Sequence, residues 1–318
     1  MNIEISPATQ EVINRSAKRL RDGGVIALPT ETVYGLGGDA ENQAAVSRMY
    51  SIKGRPAEHP VIVHIADQSD LQYWTSNIPD YALQLANSFW PGPMTLILPR
   101  SSVAKDFITG GQDCVGVRIP AHPIALQILR SFRDLGGHGI AAPSANRFGE
   151  VSPTSAQHVL ADIGKFLAEE DLIIDGGESV VGVESTIIDC TRSLPRILRL
   201  GAITQSMIEE ITSIDPDADL AEIRVSGSLA RHYSPRAKVL IDVAPQPGDG
   251  LIALSEFSAG PEVVRLTAPT STEEFARTLY GAFRKADSLG IERVVVIVPK
   301  GDGLALAIRD RVSRAASL

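Results

Sequence analysis

Cysteine is scarce in this sequence: the chain of 318 residues contains two, Cys114 and Cys190. They lie far apart, so they form neither the close pairs of a zinc site nor the dense spacing of a disulfide framework. We interpret both as small buried apolar residues.

Long apolar runs are also lacking. No stretch approaches the roughly 20 residues that cross a bilayer, and the N-terminal residues have neither the basic start nor the apolar core of a signal peptide. We therefore expect a cytoplasmic protein. The composition, 44% hydrophobic and 21% charged, is ordinary for a globular protein, and the length predicts two domains or one large one.

Positive charge and aromatic side chains are both in short supply. Lys and Arg total 30 against 38 Asp and Glu, the formal net charge is −8, and aromatic residues make up 5%. Broad binding to nucleic acid needs many cations, and binding of single strands by stacking needs aromatic rings. An RNA-binding module is thus the weaker alternative, and any anion site is expected to be a local basic cleft.

Familiar nucleotide and nucleophile motifs are missing as well. No G-x-x-x-x-G-K-[ST] loop occurs, and neither a Ser-His-Asp set nor a catalytic pair of carboxylates stands out. Gly35 to Ala40 matches G-x-G-x-x-A, but Pro29 to Tyr34 separates this stretch from the preceding predicted strand, where the first glycine should follow directly. If the protein uses ATP, it does so through another architecture, and we expect no covalent catalysis.

What the sequence does contain is an alternation of short apolar strands with helices, which is typical of an α/β sheet. Ser6 and Pro7 predict the start of a first helix that runs to Arg21, and Thr154 to Gln157 reads as a capping box. Further helices are predicted over 42–52, 79–89, 123–130, 273–288 and 304–314. Strands are predicted over 25–28, 61–65, 95–98, 115–119, 140–142, 172–174, 185–189, 197–199, 239–243, 251–254 and 294–298.

The composition changes between about 214 and 236, where acidic residues, Pro and Gly replace the regular pattern. Such a segment is typical of a linker. The sequence therefore predicts a first domain over 1–205, a linker over 206–237 and a smaller α/β domain over 238–318.

Several polar residues in apolar surroundings allow two interpretations each. Lys53 and Arg55 either complement the end of a helix or clamp a phosphate. Ser144 and Asn146 either cap turns or bind phosphate and ribose oxygens. Arg118 in its strand is either in a structural ion pair or binds a substrate carboxylate, while His64 alone is more typical of a core residue.

Taken together, six short stretches make a more specific pattern than any one of them. In order along the chain they are Leu28-Pro-Thr-Glu-Thr-Val-Tyr-Gly-Leu-Gly37, Lys53-Gly-Arg-Pro56, Phe89-Trp-Pro-Gly-Pro-Met-Thr95, Val117-Arg-Ile-Pro120, Ala142-Pro-Ser-Ala-Asn146 and Gly182-Val-Glu-Ser-Thr-Ile187. The series resembles the YrdC domain over roughly residues 10 to 200. The later His232-Tyr-Ser-Pro235 resembles an element of the long, two-domain Sua5 form.

The resemblance implies a fold: a twisted open mixed sheet with helices, followed by a smaller Rossmann-like α/β domain. It also implies an activity, the synthesis of threonylcarbamoyl-AMP and pyrophosphate from L-threonine, bicarbonate and ATP with Mg²⁺. This is the first step toward N6-threonylcarbamoyladenosine in tRNAs that decode ANN codons. A downstream threonylcarbamoyl transferase machinery is the implied partner, without a membrane and without tight RNA binding by this chain alone.

Residue by residue, the resemblance assigns two groups of contacts. The ATP contacts are Lys53, Arg55, His59, Cys114, Ser144, Asn146, Ser152, Arg199 and Tyr233, of which Lys53 and Arg55 are the catalytic candidates. The L-threonine contacts are Thr32, His64, Arg118, Ala142 and Ser185, and the ligands of the metal are unknown. Two departures stand out: Cys114 replaces an expected hydroxyl residue, and the linker lacks the family's frequent glycine-rich, lysine-bearing run.

Two rival enzyme readings complete the alternatives. One is a carbamoyl-adenylate enzyme that uses carbamoyl phosphate, as in hydrogenase maturation, but the chain lacks the CxxC pairs and additional domains of those enzymes. The other is a family member that has lost activity, against which the complete set of Lys53, Arg55, Ser144 and Asn146 argues.

Overall fold

The structure, a computed structural model, describes residues 3–56, 58–215, 223–225, 227 and 232–317. The first part of the chain contains strands and α-helices in this order: β1 Ile5–Pro7, α1 Gln10–Arg21, β2 Val25–Leu28, β3 Gly35–Asp39, α2 Gln43–Lys53, β4 Ile62–His64, α3 Leu71–Trp74, α4 Asp80–Phe89, β5 Met94–Pro99, α5 Asp106–Thr109, β6 Cys114–Arg118, α6 Pro123–Asp134, β7 Ile140–Ala141, α7 Ala156–Ile163, β8 Leu172–Asp175, β9 Thr186–Asp189, β10 Arg196–Arg199 and α8 Gln205–Glu209. Short 3₁₀ turns lie at Gln68–Asp70 and Gly164–Phe166.

The second part contains β11 Lys238–Ile241, β12 Gly250–Ile252, β13 Val264–Thr267, α9 Thr272–Ser288, β14 Arg293–Val296 and α10 Leu304–Ala316. Among the described residues, the strands form two sheets. The larger is mixed, with the order β1-β8-β2-β3-β7-β4-β6-β5-β9-β10. The smaller, β11-β14-β12-β13, is entirely parallel, so the predicted α/β class with a smaller second α/β unit is confirmed.

The first helix begins later than the sequence predicts. Ser6 and Pro7 belong to β1, an edge strand that pairs with β8, and the helix cap is Thr9, whose hydroxyl accepts from the Val12 N–H at 3.3 Å. The prediction of a cap at Ser6 was wrong because an edge strand tolerates Pro7, which has no N–H to donate.

The predicted capping box at Thr154 is also wrong by one residue. Helix α7 begins at Ala156, and the Ser155 hydroxyl accepts from the His158 N–H at 3.3 Å. Thr154 and Ser155 are adjacent hydroxyl residues, and either suits a cap, so the local pattern does not distinguish them.

The glycine-rich stretch that mimics a dinucleotide fingerprint is a strand, β3, which pairs antiparallel with β2. A Cβ on Gly37 would lie 3.1 Å from Ile140 Cδ1, so the small residue allows close packing within the sheet. Strands β1, β3 and β13 and the short helices α3, α5 and α8 were not predicted. Every predicted helix and strand is present, β2 with the predicted bounds and the others with at least one end shifted.

The span predicted as a linker is partly regular, because α8 overlaps its beginning. Its residues 216–222, 226 and 228–231 lie outside the described part of the chain. Its end, from His232 to Ala237, lies against both parts of the molecule: the Ser234 N–H donates to the Gly149 carbonyl, and the Ala237 N–H donates to Asp287.

One apolar cluster is shared by the two parts. Val33, Val151 and Val183 of the first part pack with buried residues of α9, including Phe275 and Leu279. No described helix combines the length and apolarity that crossing a membrane requires.

Candidate active site

A cleft opens beside the middle strands of the large sheet. It is lined by Thr30, Thr32, Val33, Gly35, Lys53, Arg55, Ile62, His64, Arg118, Ala142, Pro143, Ser144, Asn146, Phe148, Gly149, Glu184, Ser185, Arg199, Gly227, His232 and Tyr233. The sheet explains part of this convergence, because β4 and β6 are parallel and their register places His64 beside Arg118. Stretches that are distant in sequence thus meet at one cleft.

Lys53 is the last residue of α2, and Gly54 ends the helix in the left-handed conformation with φ 61°. Its ammonium donates to the carbonyls of Ser144 and, at 2.6 Å, Asn146. The side chain is 2% exposed, and burial, with the nearby charge of Arg55, lowers the pKa of Lys53 well below its ordinary value. Lys53 therefore organises the Ser144–Asn146 turn and places a buried amine in the cleft.

Arg55 follows in the same turn. Its Nη2 donates to the Pro60 carbonyl at 2.6 Å, and its guanidinium carbon lies 5.9 Å from the ring centres of both Tyr50 and Phe148. Burial lowers the pKa of Arg55, although an arginine stays charged at neutral pH. The end of α2 and the residue after its cap therefore bring Lys53 and Arg55 to the same cleft, so these side chains do more than complement the end of a helix.

Arg118 forms an ion pair, which is one of its two predicted roles, and the partner is Glu31, which the sequence did not identify. Its Nη2 donates to Glu31 at 2.7 Å, its Nη1 to the Thr32 hydroxyl at 3.0 Å, and its Nε to the Gly92 carbonyl at 3.3 Å. The second Glu31 oxygen is buried and has no hydrogen-bond partner in the described structure. Arg118 thus combines both interpretations, since it is ion-paired and also lines the cleft.

His64, beside Arg118, is 3% exposed. Burial, with the charge of Arg118, lowers the pKa of His64 to about 3, so the ring is neutral at physiological pH. Among the described residues its Nδ1 has no hydrogen-bond partner, and the same holds for Asn146 Oδ1 and the Tyr233 hydroxyl. Three such groups in one cleft indicate that it receives a polar ligand.

Arg199 and Ser185 line the cleft next to each other. Arg199 donates from Nε to the Ser185 carbonyl at 3.0 Å and from Nη2 to its hydroxyl at 3.1 Å, and Ser185 is also 2.8 Å from the Thr95 hydroxyl. Tyr233 closes this side with a left-handed backbone, φ 60°. A Cβ on Gly227 would lie 2.2 Å from the Tyr233 hydroxyl, so glycine allows the close approach.

Three of the residues assigned by resemblance do not line this cleft. Ser152 lies behind the wall, where its hydroxyl donates to Glu184 at 2.7 Å. The His59 ring packs 5.3 Å from that of Phe148. Cys114 lines a separate small apolar cavity together with Val225, and burial raises the pKa of its thiol to about 11.

The remaining assigned residues meet in the cleft: Lys53, Arg55, Ser144, Asn146, Arg199, Tyr233, Thr32, His64, Arg118, Ala142 and Ser185. Sequence reasoning missed Glu31 and Glu184 as individual residues, although both lie in the quoted motifs. Both carboxylates are buried and therefore need partners, but each has hydroxyl neighbours in the sequence and not an apolar run, so the local pattern does not indicate the burial.

Comparisons with known proteins agree with this geometry. Residues 18–201 match a family model for the Sua5, YciO and YrdC proteins described as Telomere recombination, and residues 203–317 match the model described as Threonylcarbamoyl-AMP synthase, C-terminal domain. The chain is 39% identical to the threonylcarbamoyl-AMP synthase of Pyrococcus abyssi, covering 95% of this chain and 93% of the relative. The corresponding enzyme of Bacillus subtilis is 36% identical over 96% of this chain and 92% of the relative.

Solved structures give the same answer. The crystal structure of P. abyssi Sua5 complexed with L-threonine has a TM-score of 0.86 and 37% identity, covering 97% of this chain and 95% of that one. A variant of that protein with a histidine and the adjacent tyrosine changed to alanine has a TM-score of 0.87 and 36% identity, covering 99% and 96% of the two chains. The chain therefore belongs to the YrdC/Sua5 family, in its two-part form with a Sua5 C-terminal domain.

Proposed function

We propose that this chain is a threonylcarbamoyl-AMP synthase, a nucleotidyltransferase that converts L-threonine, bicarbonate and ATP to threonylcarbamoyl-AMP and pyrophosphate. This product is the first intermediate of N6-threonylcarbamoyladenosine in tRNA. The observation that carries the proposal is the meeting of Lys53, Arg55 and Arg199 with Arg118 and His64 in one buried cleft. A cationic side for phosphates and a pocket for an amino acid thereby face the same space.

The nucleotide is assigned to the side with Lys53, Arg55, Ser144, Asn146 and Arg199. Phosphate oxygens would receive hydrogen bonds from a point-charge ammonium and two planar guanidinium groups. Because burial lowers the pKa of Lys53, an incoming polyphosphate would favour its charged form and gain from this interaction. The Tyr233 hydroxyl, which is buried and has no partner among the described residues, is the proposed donor to the bound nucleotide.

L-Threonine is assigned to the side with Thr32, His64, Arg118, Ala142 and Ser185. Arg118 would hold the carboxylate while Glu31 and Thr32 keep the guanidinium in place. A neutral His64 adds hydrogen-bonding capacity without a second positive charge beside the substrate amine.

The reaction needs positioning and charge stabilisation more than a nucleophilic side chain. The threonine amine forms a carbamate either with bicarbonate, releasing water, or with CO₂, releasing a proton. A carbamate oxygen then attacks the α-phosphorus, and the bond to the leaving pyrophosphate breaks. Holding the reactants in line and stabilising the charge on the leaving pyrophosphate account for catalysis in such displacements. Lys53 and Arg55 are the proposed catalytic residues for this stabilisation.

Mg²⁺ is proposed to enter with ATP, because this ion keeps several waters and is commonly bound through substrate phosphates. Across the described residues, no group of three or more His, Cys, Asp or Glu side chains is arranged to hold a metal. Both oxygens of Glu184 in the cleft already accept hydrogen bonds, and we derive no step through the ion. The division into 1–205, 206–237 and 238–318, the cytoplasmic location and the downstream transferase stay predictions.

The deciding experiment is pyrophosphate release from ATP by the full chain. Release that requires both L-threonine and bicarbonate, with threonylcarbamoyl-AMP as the product, supports the proposal. Release without threonine, or none with all substrates and Mg²⁺ present, contradicts it. Filter binding of tRNA over a salt series is the companion measurement, since tight, steeply salt-dependent affinity without threonine or ATP would favour an RNA-binding role.

A further inference from the structure

The carboxylate of Glu184 lies in the wall of the cleft but is held largely by the second part of the chain. Its Oε2 accepts from the Tyr280 hydroxyl at 3.0 Å and from Arg311 Nε at 2.8 Å, while its Oε1 accepts from the Ser152 hydroxyl at 2.7 Å. Tyr280, Arg311 and Ser152 are each 0% exposed. Because both oxygens are engaged from different directions, the carboxylate is confined to one orientation.

Tyr233 is placed by the same two residues. Its ring stacks on that of Tyr280, with centres 5.7 Å apart and planes inclined by 25°, and the Arg311 guanidinium carbon lies 5.3 Å from its ring centre. A left-handed backbone in a tyrosine is unfavourable, so neighbouring contacts must stabilise it. Here those contacts come from α9 and α10 of the second part.

The segment that carries Glu184 is pressed directly against α9. Gly182 has φ 79°, and a Cβ there would lie 2.4 Å from Arg277 Cα and 2.5 Å from the Ala276 carbonyl oxygen. Val183, the next residue, belongs to the apolar cluster shared with α9. The approach is therefore close enough to fix the position of Glu184 relative to both helices.

The negative charge of Glu184, in the first part, is paired with the positive charge of Arg311, in the second part. Burial would raise the pKa of Glu184, but the charges of Arg311 and Arg199 and the hydrogen bonds outweigh it and lower this pKa to about 2. Arg311 in turn also donates to Asp310 and to the Leu200 carbonyl. A buried ion pair stabilises such an interface no better than an apolar contact does. Stability alone therefore does not explain why Glu184, Tyr280 and Arg311 form a polar network here.

We propose that Tyr280 and Arg311 are positioning residues for adenylation, acting from the second part of the chain through Glu184 and Tyr233 on the nucleotide side of the cleft. The inference deepens the proposed function and rests on it. Arg199, whose charge lowers the pKa of Glu184, lies on the side of the cleft assigned to ATP. Ser152, which donates to Glu184 from behind the wall, is an ATP contact by resemblance. Arg118 and His64, on the threonine side, have no contact with Tyr280 or Arg311 among the hydrogen bonds and ion pairs described. Disturbing the network should therefore weaken ATP binding selectively.

The test compares Tyr280→Phe with Tyr73→Phe in the full chain. Tyr280→Phe removes one hydroxyl and keeps the ring against Tyr233, whereas Tyr73 makes a tyrosine–glutamate hydrogen bond with Glu41, at 2.6 Å, away from the cleft. We expect Tyr280→Phe to raise the KM and the directly measured Kd for ATP about tenfold, as for a lost hydrogen bond to a charged group. The KM for threonine should stay within about twofold, and Tyr73→Phe should leave all three constants unchanged.

A second pair tests Arg311 without removing its charge. Arg311→Lys loses the fork that reaches Glu184, Asp310 and Leu200 together, and Arg314→Lys alters a neighbouring arginine that pairs with the same Asp310 at 3.0 Å. Arg311→Lys should also raise the ATP constants, and Arg314→Lys should not. A merely structural role would lower kcat in proportion to the folded fraction and leave both KM values unchanged.

The outcomes separate this inference from the proposed function. If the wild-type chain releases pyrophosphate with threonine and bicarbonate while Tyr280→Phe and Arg311→Lys bind ATP as it does, the positioning role is wrong and the synthase assignment stands. If the wild type lacks that activity, the synthase assignment fails. An equal rise in the constants for both substrates would also contradict selective positioning of the nucleotide side.

Discussion

Arg118 and Glu31 form a buried ion pair, with Nη2 and Oε1 2.7 Å apart and side chains that are 5% and 6% exposed. Breaking such a pair by removing one charge is strongly destabilising, so the pair supports the fold as well as the pocket. The guanidinium is thereby oriented before any substrate arrives. A threonine carboxylate would bind an arginine that is already fixed by Glu31 and Thr32.

Arg118→Lys should separate charge from geometry at this position. Lysine keeps the positive charge but cannot donate in the fixed fork that reaches Glu31, Thr32 and Gly92 together. We expect the KM for threonine to rise on the order of tenfold, with the Kd for ATP unchanged. Steady-state kinetics with Arg100→Lys as a control test this, because Arg100 pairs with Asp106 at 2.6 Å outside the cleft. An unchanged threonine KM would remove Arg118 from the amino-acid pocket.

Lys53→Met should lower both activity and stability. Loss of one charged contact to the transferring phosphates should reduce transition-state stabilisation by about 2–4 kcal/mol, measured as a fall in kcat/KM. The melting temperature should also fall, because methionine fills a similar volume but cannot donate to the carbonyls of Ser144 and Asn146. Lys285→Met, a surface change in α9, is the control. Full activity in Lys53→Met would contradict the phosphate contact.

Gly227→Ala should displace Tyr233 from the cleft. The added Cβ would lie 2.2 Å from the Tyr233 hydroxyl and 3.3 Å from Arg199 Nη1. We expect a rise in the Kd for ATP of about tenfold, measured by titration calorimetry, from the loss of a donor to a charged ligand. Gly248→Ala is the matched control, since Gly248 has a similar φ of 87° but its Cβ would meet nothing within 4 Å. Equal effects of the two changes would mean that backbone strain alone is responsible.

Stability should fall as the solution becomes mildly acidic. Burial lowers the pKa of His64 and His232 to about 3 and that of His158 to about 4, so below their ordinary value of about 6.5 the unfolded chain binds more protons than the folded one. The melting temperature should therefore drop between about pH 7 and pH 5.5.

His158→Asn isolates one of these contributions away from the cleft. In the wild type, His158 Nδ1 accepts a hydrogen bond from the Thr154 N–H at 3.3 Å. The asparagine side chain can also accept this hydrogen bond, but it does not titrate. Thermal denaturation should show a smaller drop with pH in this variant than in the wild type. Identical slopes would contradict the depressed pKa of His158.

Much of the molecule was accessible from local pattern. Strand β2 has the bounds that were predicted, and α2 lies within one residue of its prediction, because apolar runs and helix caps act over a few neighbours. The edge strand β1 and the glycine-rich β3 were missed because their partners, β8 and β2, satisfy hydrogen bonds that composition does not reveal.

The sequence by itself determined the α/β class, the family, and most of the residues that meet in the cleft, since these follow from short patterns and their order. Tertiary structure alone decided that Arg118 pairs with Glu31, that Cys114 faces another cavity, and that Tyr280 and Arg311 reach Glu184 from the second part. Such contacts join residues about a hundred positions apart, or depend on which face of a strand is covered. They depend on how the chain packs and cannot be predicted from local periodicity.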